Sequence, residues 1–211
     1  MAKSSTFWEF CRKTAHLSGL LIVIGYTLVY EYFSPRTAIL AVTALLLILI
    51  EVERIRLDYR PKIANLFDGL FRKHEKTNIS GAVYLVISCI IAFSAFDYWV
   101  AFLALFMTVF GDLSAAIFGT LFGKKKIYGN NTVIGTLAGF VTNLAVGFLI
   151  MPEFILLIVP MAITASFVEF ITIRLDDNLT VPLFAGFVGQ TIVFYSDLVL
   201  PPIDFTFLGL L

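Results

Sequence analysis

FGDLSAAIFGTLFGKKKIYGNNTVIG, residues 110–135, joins the end of one apolar run to the start of another through a lysine-rich connection. Asp112 stands inside the first of those runs. An ionised side chain at such a position costs about 2.5 to 3.5 kcal/mol on membrane-insertion scales, so it marks a functional site by default. Gly111, Ala115, Gly119 and Gly123 recur every four residues. On a helix this spacing lays a ridge of small side chains along one face, where another backbone can come close. Lys124, Lys125 and Lys126 then place three positive charges where the apolar run ends.

The rest of the chain has the same apolar character. Hydrophobic residues make up 59% of the 211 residues and mean hydropathy is +0.93, against an apolar share of roughly 45 to 50% in soluble domains. A spanning helix needs about 20 apolar residues, with about 17 as the lower limit. Seven runs qualify: 17–33, 37–50, 79–96, 98–118, 135–151, 154–171 and 181–200. The second is short and borrows residues 51–55 to reach full length. Charged and polar residues, rather than a small-residue cleavage site, follow the first run, which reads as a retained span. The expected fold is all-α, a polytopic membrane bundle of about seven transmembrane helices forming one domain over residues 1–211.

Net charge is zero, which gives no reason to expect a nucleic-acid partner, but its distribution orients the chain. With the N-terminus cytoplasmic, every Lys and Arg except Arg36 falls on the inner side, the asymmetry of the positive-inside rule. An odd number of spans then places the C-terminus outside. Cys11 and Cys89 have neither disulfide nor metal-ligand placement and read as packing residues.

The polar residues gather in the inner segments, while the outer loops are minimal. Before the first span, Arg12, Lys13 and His16 share one helix face; Trp8 beside them fits an interfacial anchor equally well. Residues 56–76 hold Pro61 followed by Ile63, Leu66, Phe67, Leu70 and Phe71, an apolar face at helical spacing. This predicts a helix lying in the inner interface, as a lid or collar. Glu51 and Arg54 stand one turn apart and are placed to pair. In the last inner segment, Glu169 precedes Asp176, Asp177 and Asn178. With Asp112 these form an oxygen-ligand set suited to Mg²⁺, which takes a few carboxylates while substrate phosphates fill other positions. Asp176 to Asn178 also read as a capped turn ahead of Pro182. Carboxylates for a metal and lysines for phosphates suit phosphoryl transfer, where positioning and charge neutralisation do most of the work. The nucleotide would enter from the cytoplasm and a lipid acceptor from the bilayer.

RKTAH at 12–16, Glu51 with Arg54, KHEKTNISGAVYL at 73–85, GDLSAAIFGTLFGKK at 111–125 and EFITIRLDDNLTVPL at 169–183 occur in one order along the chain. In this set the chain resembles the CTP-dependent lipid kinases, which include dolichol kinase, phytol kinase and the yeast-type diacylglycerol kinase. The resemblance implies an integral membrane enzyme that uses CTP and Mg²⁺, or another divalent cation, to phosphorylate a lipid alcohol. It implies metal or triphosphate roles for Asp112, Asp176 and Asp177, with Glu169 as a further catalytic residue. Nucleotide contacts would come from Arg12, Lys13, Lys124, Lys125, Thr132, Gly135 and Asn178. His16 is the candidate general base for the lipid hydroxyl, as its unperturbed pKa of about 6.5 suits that task.

Two departures stand in the connecting loop, with Asn131 where the family carries lysine and Ile134 where it carries glutamate. A polyprenol or dolichol-type alcohol is the expected acceptor, with phytol, geranylgeraniol and diacylglycerol open. A CTP:phosphatidate-type cytidylyltransferase and a non-enzymatic membrane transporter are the alternative readings. The small-residue ridge suits a homodimer as well as an internal contact.

Overall fold

The computed structural model describes residues 17–59, 77–123, 126–128, 131–172 and 175–203. Among them are seven helices: α1 (Ser18–Tyr32), α2 (Pro35–Tyr59), α3 (Gly81–Ala95), α4 (Tyr98–Phe122), α5 (Val133–Ile150), α6 (Ile155–Ile171) and α7 (Asp177–Tyr195). Each falls on one of the seven apolar runs. The lysine-rich connection carries a feature that hydropathy does not reveal, an antiparallel hairpin of β1 (Lys126–Tyr128) and β2 (Asn131–Thr132). The fold is therefore all-α apart from this hairpin.

Three helices, α4, α5 and α7, are long and apolar enough to cross a membrane, and α1, α3 and α6 are shorter apolar helices. The chain is a membrane protein with transmembrane-length helices. Large apolar side chains on the outer faces remain exposed, Leu149 at 84% and Phe194 at 73% among them, as a rim in hydrocarbon requires. α2 is longer than its apolar run because the charged turns after Ile50 continue the same helix. Residues 56–59 thus belong to α2 and not to a separate interfacial helix; residues 60–76, on which the rest of that expectation falls, lie outside the described residues.

Local chemistry explains the breaks between helices. Pro35 opens α2, where its missing N–H costs nothing, and the Ser34 hydroxyl accepts from the Thr37 amide at 3.1 Å. Between α3 and α4, the Asp97 amide donates to Gln190 Oε1 at 2.7 Å and Gln190 Nε2 donates back to Asp97 Oδ2 at 2.9 Å. This two-bond clasp ties the turn to α7. Trp99 Nε1 donates to the Pro201 carbonyl at 2.9 Å and holds the segment after α7 against the same end.

α4 is the axis of the bundle. Its most apolar window is 61% buried, against 28% for α5 and 39% for α7, because it is apolar on every side. One face, with Val100, Leu103, Ala104 and Met107, enters a core shared with α5, α6 and α7. The opposite face, with Tyr98, Ala101, Leu105 and Val109, enters a second core shared with α1, α2 and α3. Both sets follow the three-and-four spacing of a helix face. The second core is aromatic toward the Asp97 end, where Tyr26 stacks on Phe93 with centroids 3.8 Å apart and the Tyr98 hydroxyl meets Thr27 Oγ1 at 2.6 Å. An apolar groove of about 350 Å³ runs between α1 and α2 beside Gly25.

Candidate functional site

The ridge of small residues is where α4 and α5 cross. A Cβ on Gly135 would lie 2.7 Å from the Ala115 carbonyl oxygen and 3.2 Å from the Gly119 Cα, so only glycine lets the two backbones meet there. Gly119 and Gly123 both face the Thr132 hydroxyl, with a Cβ on Gly123 falling 2.6 Å from it. That hydroxyl caps α5 by accepting from the Gly135 amide at 3.1 Å. Thr132 and Gly135 thus hold the start of α5 against the last turns of α4.

Asp112 lies just below this crossing and is 8% exposed. One turn farther along α5, Gly139 presents bare backbone to α4 and α6 together. A Cβ there would stand 3.4 Å from the Gly111 carbonyl oxygen, 3.4 Å from the Ala115 Cβ and 3.7 Å from Glu169 Oε2. The Glu169 carboxylate and the peptide that leads into Asp112 therefore border the same small surface, although their residues are more than fifty apart in sequence. A further turn along, Asn143 is fully buried; its Nδ2 donates to Ser166 Oγ on α6 at 3.1 Å. Ser114 Oγ donates to the Gly111 carbonyl at 2.9 Å. The seam of α4, α5 and α6 is a polar strip inside an apolar bundle.

Asp176, Asp177 and Asn178 form the start of α7. Asp176 Oδ1 accepts from the Asn178 amide at 3.0 Å and from Asn178 Nδ2 at 2.7 Å, and Asp177 Oδ1 accepts from the same amide at 3.1 Å. Asp176 is thus the N-cap, and its carboxylate also sits favourably at the positive end of the helix. Asn178 is 3% exposed and spends its side chain on that cap. Asn131, in β2, donates from Nδ2 to the Glu169 carbonyl at 3.3 Å and to the Phe170 carbonyl at 3.1 Å. It donates to two carbonyls in the last turn of α6, and so binds the hairpin to the turn that carries Glu169.

Arg12, Lys13, His16, Lys124 and Lys125 lie outside the described residues. Glu51 and Arg54 do pair, in the open, with side chains 54% and 58% exposed. The more covered pair is the neighbouring Glu53 and Arg56, at 12% and 13%, and Arg56 Nη2 also donates to the Asn78 carbonyl at 2.8 Å. Sequence reasoning passed over this pair, and over Asn143, Ser166 and the capping work of Asn131. The test that singled out Asp112, a strongly polar side chain within an apolar run, applies to Asn143 as well.

Among the described residues no three His, Cys, Asp or Glu side chains are grouped to hold a metal ion. Mg²⁺ asks for less, one or two carboxylates with substrate phosphates and water completing its shell. The acidic donors at the seam are of the right chemistry for that role. No family model, curated protein or solved structure matches the chain.

Proposed function

We propose that the chain is a CTP-dependent kinase of membrane lipid alcohols, with a polyprenol or dolichol-type acceptor. The observation that carries this reading is a buried acidic residue, Asp112, directly after the Gly111 carbonyl that faces Gly139, with the Glu169 carboxylate of α6 facing the same glycine within an apolar bundle. Acidic groups kept in such surroundings indicate function rather than stability. The motif order and its resemblance to the CTP-dependent lipid kinases supply the reaction class.

In this reading the site opens to the cytoplasm at the end that carries the hairpin. One or two of the carboxylates Asp112, Asp177, Asp176 and Glu169 would hold Mg²⁺ bound with the triphosphate, and the metal would neutralise phosphate charge. Lys124 and Lys125, with Arg12 and Lys13, add positive charge around the same phosphates. His16 accepts the proton of the lipid hydroxyl, whose oxygen bonds to the γ-phosphorus as CDP leaves. Thr132, Gly135 and Asn178 act as the frame, since their contacts fix the starts of α5 and α7. The acceptor's chain stays in the bilayer throughout.

The test is to incubate the purified protein in detergent with Mg²⁺, a pool of polyprenol, phytol, geranylgeraniol and diacylglycerol, and CTP or ATP labelled at the γ-phosphate. Label passing from CTP into one lipid supports the reading and names the acceptor. Label entering phosphatidate from α-labelled CTP replaces it with a cytidylyltransferase. Silence in both assays sinks the enzyme reading.

A further inference from the structure

Asn143 has no solvent exposure, and its Oδ1 has no hydrogen-bond partner among the described residues. Among the described residues its one side-chain hydrogen bond runs from Nδ2 to Ser166 Oγ. Turning the amide over does not remove the difficulty, because one end would still face the Gly111 Cα. An unpaired polar atom within an apolar interior is costly, and an apolar side chain of the same size would avoid that cost. Stability therefore does not account for an asparagine here.

Its placement does. Oδ1 would be 2.5 Å from a Cβ on Gly111, so it seats against a backbone that no side chain can screen. A Cα–H donor at Gly111 offers it only a weak partner. Gly111 immediately precedes Asp112, and Ser166 lies one helical turn before Glu169. One turn from Asn143 on α5, Gly139 borders both the Gly111 carbonyl and the Glu169 carboxylate. Asn143 thus touches all three helices of the seam at one level. Sliding α4 or α6 by a turn would break its bond to Ser166 or drive Oδ1 into a side chain.

We propose that Asn143 is a positioning residue for the site assigned above, setting through Gly111 and Ser166 the register of the α4 turn that carries Asp112 against the α6 turn that carries Glu169. The proposal rests on the kinase reading for its effect on turnover, but its structural half stands apart from that reading. A buried polar group can specify one arrangement among several while adding nothing to stability, as register-setting polar residues do between packed helices.

The test joins two readouts in a chain whose Cys11 and Cys89 are replaced by Ala. Ala115→Cys with Gly139→Cys reports register, because the two Cβ positions are 3.4 Å apart, close to the spacing of about 3.5 to 4.5 Å that a disulfide needs. Asn143→Leu is added to this pair, and the same substitution alone, with and without Ser166→Ala, is assayed for transfer from CTP. The expected outcome is an unchanged or raised melting temperature, a cross-linking rate at least fivefold lower, and kcat at least tenfold lower with KM for CTP within twofold. Cross-linking at the unsubstituted rate overturns the proposal whatever the activity does. A lower cross-linking rate in a protein that transfers no phosphate leaves the positioning role intact and removes the kinase reading instead. A fall in melting temperature that accounts for lost cross-linking and lost activity together would reduce Asn143 to ordinary packing and overturn the proposal.

Discussion

Asp112 is the one buried acidic side chain of α4, a largely apolar helix, so its role is separable from stability by an isosteric change. Asp112→Asn keeps the shape but removes the charge and exchanges one acceptor oxygen for an NH2 donor. Turnover should fall by about 100-fold or more, the order seen when a group that stabilises charge in the transition state is lost, while purification and melting stay as in the parent protein. Asp177→Asn should behave alike. Normal activity in either variant would remove that residue from the phosphate or metal role. The glycines separate just as cleanly. Gly111→Ala would set a Cβ 2.5 Å from Asn143 Oδ1, and Gly135→Ala would set one 2.7 Å from a backbone carbonyl that cannot turn aside. Each should cost about 1 to 3 kcal/mol through overpacking, read as a lowered melting temperature in detergent. Gly25, where an added Cβ would meet nothing within 4 Å, is the control; Gly25→Ala should leave melting unchanged or raise it slightly, since alanine suits a helix interior better by about 1 kcal/mol.

At the level of whole elements, the ends of α6 and α7 decide whether the acidic groups keep their places. α7 begins at Asp176 because that carboxylate satisfies the Asn178 amide. Asp176→Ala should cost about 1 kcal/mol, the usual loss for an N-cap, and should raise amide exchange in the first turn of α7 ahead of the rest of the helix. α6 ends where Asn131 reaches across from β2 to the Glu169 and Phe170 carbonyls. Asn131→Ala should loosen that end by about 1 kcal/mol, a typical net hydrogen-bond contribution. Exchange should rise around residues 168–172 and stay unchanged in α4. Exchange that rises evenly through the chain would mean Asn131 contributes only to global stability. Asn131 thus has a structural task, closing a helix by hydrogen bonding where a lysine would bring charge to the same point.

Across the whole molecule, α4 joins two cores, and the helices pair through tight turns at the end marked by Asp97. In the proposed topology, with the N-terminus cytoplasmic, that end faces outward. In a chain without Cys11 and Cys89, Glu153→Cys should react with a membrane-impermeant maleimide added to intact cells, and Thr77→Cys should react only after the membrane is opened. Both positions are exposed. The reverse pattern would place the hairpin end outside, away from cytoplasmic CTP, and would end the kinase reading in its present form.

Hydropathy alone determined the all-α class, the seven helices among the described residues and the place of Asp112 within an apolar run, since burial in hydrocarbon acts residue by residue and leaves its mark on composition along the chain. The spacing of Gly111, Ala115, Gly119 and Gly123 announced a close helix contact, but a repeat on one helix does not name its partner. Only the tertiary structure decided that α5 fills that role, because the fit depends on Gly135, Gly139 and Thr132 meeting the ridge at one register. The same holds for Asn143, whose neighbours Gly111 and Ser166 come from two other helices, and for Asp176 to Asn178, where capped turn and ligand set have the same spelling. Hydrogen bonds and steric exclusion act between atoms that only the packed chain brings together. The sequence could therefore show which side chains were unusual, while their partners were set by the fold.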